Sequence, residues 1–263
     1  MPGQPNQMSV TRNSYFYNAM NLVVDIGNSF MKVAVYSGME LIALKKSAND
    51  DNSGLESVIS EYPGLKQAII SSVGPDVDTT SQLLKHRGIK VLVLDESTPI
   101  PIENLYLTKD TLGKDRLAAA VGGWTAFGHD PVLIIDAGTA LTFDFLDQKG
   151  QYIGGSISPG LQMRFQALHH LTKRLPLVQP EAHFTWPAST TNASIVTGVQ
   201  NGMIMEIEGT VQQYTGIYPG LKAILTGGDA LFFDKILKNS IFVDLNLVLK
   251  GLNRILIYHA EKR

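Results

Sequence analysis

At roughly 150 residues per domain, a chain of 263 residues holds one large domain or two modest ones. Hydrophobic residues make up 44% and charged residues 17%, which excludes a disordered or fibrous chain, and 22 Lys and Arg against 24 Asp and Glu give no electrostatic pull toward nucleic acid or an anionic membrane. The absence of cysteine excludes a disulfide framework, a thiolate metal site and a cysteine nucleophile, and is compatible with a reducing cytoplasm, the expected location.

Residues 1–19 read as an extension or tail. They lack a charged start followed by an apolar stretch, Asn13, Ser14 and Asn18 interrupt them, and Met20 stands directly before the first periodic segment. No apolar run approaches the roughly 18 residues of a bilayer span. The chain then runs Leu22-Val23-Val24-Asp25-Ile26-Gly27-Asn28-Ser29, an apolar β-branched run broken at Asp-x-Gly, and alternates over 31–36 and 40–46: a buried strand, a turn and a meander. A helix over 55–62, a strand over 68–73, a helix over 79–86 and a strand over 91–94 follow, an alternation that predicts an α/β sheet. Gly113-Lys114-Asp115-Arg116 opens a helical run over 117–127.

A second apolar run, Val132-Leu133-Ile134-Ile135, ends in Asp136-Ala137-Gly138-Thr139-Ala140, and alternation resumes over 143–146 and at Tyr152-Ile153. The first pattern has recurred about half a chain later, too far for a solenoid repeat and suited to two related halves packed face to face. The expected domains are 20–128 and 129–263. Helices are expected over 161–171 and 194–214, a strand over 223–226 that meets Gly227-Gly228-Asp229, and helices over 230–237 and 247–259; the proline-bearing segment 175–191 reads as irregular.

A strand ending in Asp-x-Gly places a carboxylate at the carboxyl edge of a sheet, and the glycine lets the following N–H groups and hydroxyls approach a phosphate. Ser29 and Thr139 fit as hydroxyl donors. A carboxylate repels phosphate, so its task is to hold a bridging cation, which predicts a divalent metal. At the third junction, Gly227 and Gly228 leave room for a flat base or ribose against the backbone. A single Asp-x-Gly is usually a plain turn, about one in ten binding phosphate; two copies with a later Gly-Gly junction point to a nucleotide between two domains. The six histidines show no metal-ligand spacing.

Taken together, Asp25 to Ser29, Gly113-Lys114-Asp115-Arg116, Asp136 to Ala140, Gly154-Gly155-Ser156-Ile157-Ser158-Pro159-Gly160 and Thr226-Gly227-Gly228-Asp229 strongly resemble the type III pantothenate kinases in order and spacing, from Met20 to the C-terminus. The resemblance implies two similar ribonuclease-H-like, actin-like ATPase domains facing a nucleotide cleft. It also implies a homodimer with the site at the subunit interface, and ATP-dependent phosphorylation of pantothenate with a monovalent cation, K+ or NH4+, besides Mg2+.

The resemblance also distributes roles. The first phosphate loop is Asp25, Ile26, Gly27, Asn28, Ser29, Phe30, Met31 and Lys32, with Asp25 on magnesium; Lys32 either adds charge or is a solvated strand lysine. Thr139, Gly227 and Gly228 also contact ATP, and Asp136 helps hold the monovalent cation. Gly113, Lys114, Asp115 and Arg116 bind substrate. Arg116 grips its carboxylate by a two-pronged hydrogen bond at a helix start, and Asp115 takes or orients the hydroxyl proton as the proposed base. Without the family match, Asp115 is equally well a helix cap. Tyr106 and Thr191 match substrate contacts, with Thr190 as the alternative to Thr191. Two readings compete: a relative that has lost catalysis, like the Bvg accessory factor-like regulators, and a superfamily kinase for another small alcohol. Intact Asp25, Asp115, Arg116 and Asp136 favour the pantothenate kinase.

Overall fold

The computed structural model describes residues 20–27, 30–49, 51–72, 77–238 and 240–262. The expected tail over 1–19 and the phosphate-loop candidates Asn28 and Ser29 lie outside them. Along the chain, β1 (Met20–Ile26), β2 (Phe30–Ser37) and β3 (Glu40–Ala48) form the first meander, followed by α1 (Ser53–Glu61), β4 (Gln67–Ser72), α2 (Val77–His86) and β5 (Lys90–Val93). A two-residue strand, β6 (Glu103–Asn104), precedes α3 (Lys114–Phe127). The second meander, β7 (Val132–Ala137), β8 (Ala140–Leu146) and β9 (Gln151–Pro159), leads to α4 (Leu161–His170) and α5 (Thr191–Ile217). The chain ends with β10 (Lys222–Thr226), α6 (Ala230–Asp234), β11 (Phe242–Val243) and α7 (Leu247–Glu261).

These elements divide into two units. Of the described residues, the first holds 20–101, 108–125 and 248–262, and the second holds 102–107 and 126–247. The final helix thus counts with the first unit, and the short segment before α3 with the second.

In the first unit a five-stranded sheet has the order β3-β2-β1-β4-β5. β1 lies antiparallel to β2 and parallel to β4. A central strand is covered on both faces, which is why β1 reads as a continuous apolar run: Leu22, Val23 and Val24 are all buried. Leu22, Val24 and Ile26 share one core with Val33 and Val35 of β2, Leu55 and Val58 of α1 and Leu84 of α2. Helices α3 and α7 approach very closely, since a Cβ on Gly251 would stand 1.8 Å from the carbonyl oxygen of Ala118. The small residues 118–120 are therefore buried packing positions. A buried amide chain fastens α7 to β1: Asn21 Nδ2 donates to Asn253 Oδ1 at 2.7 Å, and Asn253 Nδ2 donates to the Gly38 carbonyl at 2.7 Å. Satisfied in this way, the amides hold α7 in one place rather than opposing burial.

The six-stranded sheet of the second unit has the order β11-β10-β7-β8-β9-β6. Taken as β9-β8-β7-β10-β11 it repeats the first sheet strand for strand, with β7–β8 and β8–β9 antiparallel and β7–β10 and β10–β11 parallel; β6 is an addition outside β9. Its core joins Leu133 and Ile135 of β7 and Phe143 and Phe145 of β8 to Val196, Met203 and Ile207 of α5. The expected duplication is thus present in topology as well as in sequence.

Candidate active site

Each central strand ends on its acidic residue. Asp25 is the penultimate residue of β1 and Asp136 the penultimate residue of β7. The glycine that follows each closes the hairpin: Gly27 N–H donates to the Phe30 carbonyl at 3.0 Å, and Gly138 N–H to the Ala140 carbonyl at 3.1 Å. Within its own sheet each aspartate stands at the carboxyl end of a strand with a parallel neighbour, β4 for Asp25 and β10 for Asp136, where open α/β sheets bind ligands.

In the first unit Asp25 lies opposite Lys32 on β2 and beside Ser71 on β4. Its carboxyl pKa is pushed up to about 6, chiefly by burial; Lys32 draws it down, the Asp115 carboxylate pushes it up and the Ser71 hydroxyl draws it down slightly. The Ser71 oxygen is buried but makes no hydrogen bond of standard geometry. Lys32, which either reading allowed, is half-buried and acts electrostatically on Asp25. Asn49, unmarked in the sequence, braces the loop by donating to the Gly27 carbonyl at 2.6 Å. Ile26 and Met31 turn their side chains into the core, leaving only backbone for a ligand, while Phe30 is exposed with the Lys46 ammonium 3.8 Å from its ring centroid.

Asp115 is the second residue of α3, and its Oδ1 accepts the N–H of Arg116 at 2.8 Å. The first intrahelical bond runs from Leu117 N–H to the Gly113 carbonyl at 3.1 Å, so Gly113 occupies the cap position and Asp115 sits inside the first turn. Arg116 is buried and Asp115 half-buried. The Lys114 side chain turns to Glu96 at 3.4 Å. Asp25, Lys32 and Asp115 are therefore one electrostatic group, although they lie far apart in sequence.

For the metal-free protein the raised pKa of Asp25 fixes the sign of a pH effect. A carboxyl with a folded pKa of about 6 against an ordinary 3.8 stabilises the fold fully below pH 3.8, and that contribution is lost as pH rises to about 6. At pH 7.5 the folded protein carries an anion that its surroundings disfavour. Asp25→Asn is expected to be more stable than the wild type at pH 7.5, by at most about 3 kcal/mol, and to melt beside it near pH 4. Paired thermal melts check this, and an Asn variant that melts lower at pH 7.5 contradicts it.

In the second unit the Asp136 carboxylate lies between two glycines. A Cβ on Gly138 would stand 2.9 Å from Asp136 Oδ1, and one on Gly227 2.4 Å from the same atom. Gly227 also has φ +98, a left-handed conformation suited to glycine. The turn is tied back to β7 where Asp229 N–H donates to the Ala137 carbonyl at 2.9 Å, and burial pushes the Asp229 carboxyl pKa up. Thr139 is exposed at the tip of the second loop. Gly160 packs beneath it, where a Cβ would stand 2.3 Å from the Thr139 carbonyl oxygen. The last glycine of the Gly-Gly-x-Ile-x-Pro-Gly element thus serves the loop through backbone contact.

Tyr106 and Thr191 also belong to the second unit. Tyr106 is half-buried, with its ring 6.0 Å from that of Tyr152. Thr190 is the cap of α5, its hydroxyl accepting the Ala193 N–H at 3.2 Å, whereas Thr191 is the exposed first residue of the helix. Both threonines line a cavity of about 1040 Å³ whose apolar wall includes Leu168, Leu171, Ile195 and Val199.

These residues fit the cations and nucleotide that the sequence predicts. Asp136 is presented beside glycines whose added side chains would collide with it, and Asp25 has a buried hydroxyl beside it. Among the described residues no group of three or more His, Cys, Asp or Glu could hold a metal ion. A cation held at Asp25 would share that carboxylate with phosphate oxygens and water, an all-oxygen set that suits Mg2+.

The family model of the type III pantothenate kinases matches residues 21–213. The type III pantothenate kinase of Phocaeicola vulgatus is 45% identical over 243 residues, spanning 92% of this chain and 100% of that protein. Among solved structures, a Baf family protein of Campylobacter jejuni described as a transcriptional activator superposes with a TM-score of 0.61 at 20% identity, over 91% of this chain and 99% of that one. A ROK family glucokinase from Streptomyces griseus gives 0.50 at 12% identity, over 90% of this chain and 99% of that one. At such identities the likeness concerns the fold alone, which is the actin-like ATPase and sugar-kinase architecture expected from the sequence. The activator's likeness adds nothing to the regulator reading.

Proposed function

The chain belongs to the type III pantothenate kinase family, and from that premise we infer that it catalyses ATP-dependent phosphorylation of pantothenate to 4'-phosphopantothenate, the first step of coenzyme A biosynthesis. The observation that carries this reading is the duplicated acidic junction: Asp25 and Asp136 occupy the same place in two copies of one sheet, each before a glycine turn. In the reaction the primary hydroxyl oxygen of pantothenate bonds to the γ-phosphorus, the bond from that phosphorus to the ADP oxygen breaks, and the hydroxyl proton leaves. Such a transfer depends on positioning and charge neutralisation more than on covalent chemistry.

We assign the chain's groups accordingly. Asp115 accepts a hydrogen bond from the attacking hydroxyl and receives its proton as the bond to phosphorus forms. In such a loose transfer the proton need not leave the hydroxyl early, so orientation is the main contribution of Asp115. Arg116 meets the pantothenate carboxylate with a planar, doubly donating guanidinium, and Tyr106 and Thr191 complete the substrate contacts. Thr191 is preferred over Thr190 because the Thr190 hydroxyl already caps α5. The Asp25–Lys32 loop and Thr139 bind the phosphates, and Gly227 and Gly228 lie against the base or ribose. When bound, Mg2+ at Asp25 and a monovalent cation, K+ or NH4+, at Asp136 neutralise phosphate charge. We further propose a cytoplasmic homodimer. No described helix is long and apolar enough to cross a membrane.

An ADP-release assay with Mg2+ and K+ tests the reading against a panel of pantothenate, sugars and other small hydroxy acids. ADP formation that depends on pantothenate is expected. Activity only on a sugar reassigns the substrate, and none with any acceptor overturns the kinase reading in favour of the regulator.

A further inference from the structure

The second unit contains a buried carboxylate for which phosphoryl transfer has no use. Asp144, on β8, is 1% exposed. Its Oδ1 accepts the phenol O–H of Tyr152 at 2.5 Å and its Oδ2 the hydroxyl of Thr142 at 3.3 Å. A short hydrogen bond to a buried acceptor fixes its donor ring in place. Tyr152, on β9, is itself fully buried, so the phenol cannot exchange this partner for bulk water.

What Tyr152 in turn holds is Tyr106. The Leu105 N–H donates to the Tyr152 carbonyl at 3.0 Å, and Asn104 is registered against Tyr152 across the β6–β9 ladder. The rings of Tyr106 and Tyr152 lie 6.0 Å apart at 42°. Tyr106 also rests on Gly154, where a Cβ would stand 3.4 Å from its ring and where φ is +130. The backbone before Tyr106 and one edge of its ring are therefore both referred to Tyr152. Because two-residue β6 has little pairing of its own, the strand that carries it sets its position.

We propose that Asp144 and Tyr152 are positioning residues for Tyr106 and so set the affinity for the pantothenate side of the reaction without touching substrate. This rests on the reading of Tyr106 as a pantothenate contact. Removing the Tyr152 hydroxyl takes one donor from a buried carboxyl group and loosens the hold on the ring against which Tyr106 lies.

The test is steady-state kinetics on the full chain with pantothenate and ATP varied separately. Tyr152→Phe is expected to raise KM for pantothenate about fivefold or more, with KM for ATP and kcat within about twofold of wild type. Asp144→Asn, which keeps an acceptor for the phenol, is expected to give a smaller rise, and it decides the matter if Tyr152→Phe yields no folded protein. Tyr106→Ala raises the same KM, and adding Tyr152→Phe to it is expected to add nothing, since the second residue acts only through the first. An unchanged pantothenate KM in folded Tyr152→Phe, an equal loss in all constants, or additive effects in the double variant would each overturn the proposal while leaving the kinase reading intact. A wild type inactive on pantothenate, or an unaffected Tyr106→Ala, overturns the underlying reading and the proposal with it.

Discussion

Asp115→Asn is expected to lower turnover with pantothenate by about 10²- to 10⁴-fold while ATP binding persists. The substitution separates structure from chemistry because the role proposed for Asp115 is distinct from its structural one. One carboxylate oxygen accepts the Arg116 N–H at 2.8 Å within the first turn of α3, and an asparagine amide oxygen can accept the same bond. The other position then bears an NH2 group that donates where the substrate hydroxyl needs an acceptor. The helix start, the buried Arg116 and the core around 118–121 should remain intact, so melting temperature is expected to stay near that of the wild type. Asp25 also loses a repulsive neighbour, which favours its ionised form. Near-normal turnover with Asp115→Asn would remove this residue from the mechanism.

The second large effect is expected at Gly227. A methyl group there would stand 2.4 Å from Asp136 Oδ1 and 2.5 Å from the backbone carbon and oxygen of Ala137, in a turn held at φ +98. The left-handed conformation alone costs a non-glycine residue about 1–2 kcal/mol, and the collision adds to that by moving either the carboxylate or the end of β7. Gly227→Ala is therefore expected to raise KM for ATP by about tenfold or more and to weaken activation by the monovalent cation. Nucleotide kinetics on this variant check the point. A Gly227→Ala enzyme with wild-type ATP kinetics would dissociate this junction from nucleotide binding.

The parts of the fold legible in the sequence are those where one local pattern carries the physics. β1 and β7 announce themselves because a strand covered on both faces is apolar throughout, and each stops at an Asp-x-Gly turn. That the two meanders build the same sheet follows from that repetition. β6 and β11 are not legible, since two residues show no period. α5 begins at Thr191 rather than near 194 because Thr190 caps it, a boundary set by one side chain. The membership of α7 in the first unit depends on Asn253 and Gly251, whose partners lie far away in the chain.

The candidate site divides in the same way. Asp25, Asp115, Arg116, Asp136 and Gly227 stand in motifs, and the motifs name them. Ser71 beside Asp25 emerges only when β4 pairs with β1, and Asn49 only when the end of β3 meets the Gly27 loop. For Asp144 a signal was present: a carboxyl group between Phe143 and Phe145 is a polar group that burial will oppose unless something receives it. Its meaning depended on the partner strand, which supplies Tyr152.

The central claim is that this chain transfers the γ-phosphoryl group of ATP to an alcohol oxygen of pantothenate, and phosphorus NMR of the wild-type reaction with Mg2+ and K+ tests it most directly. The account predicts that the γ-phosphate signal is replaced, one for one with ADP, by a phosphomonoester coupled to the methylene protons of the primary alcohol. Orthophosphate as the sole new phosphorus species, or no reaction at all, would contradict it.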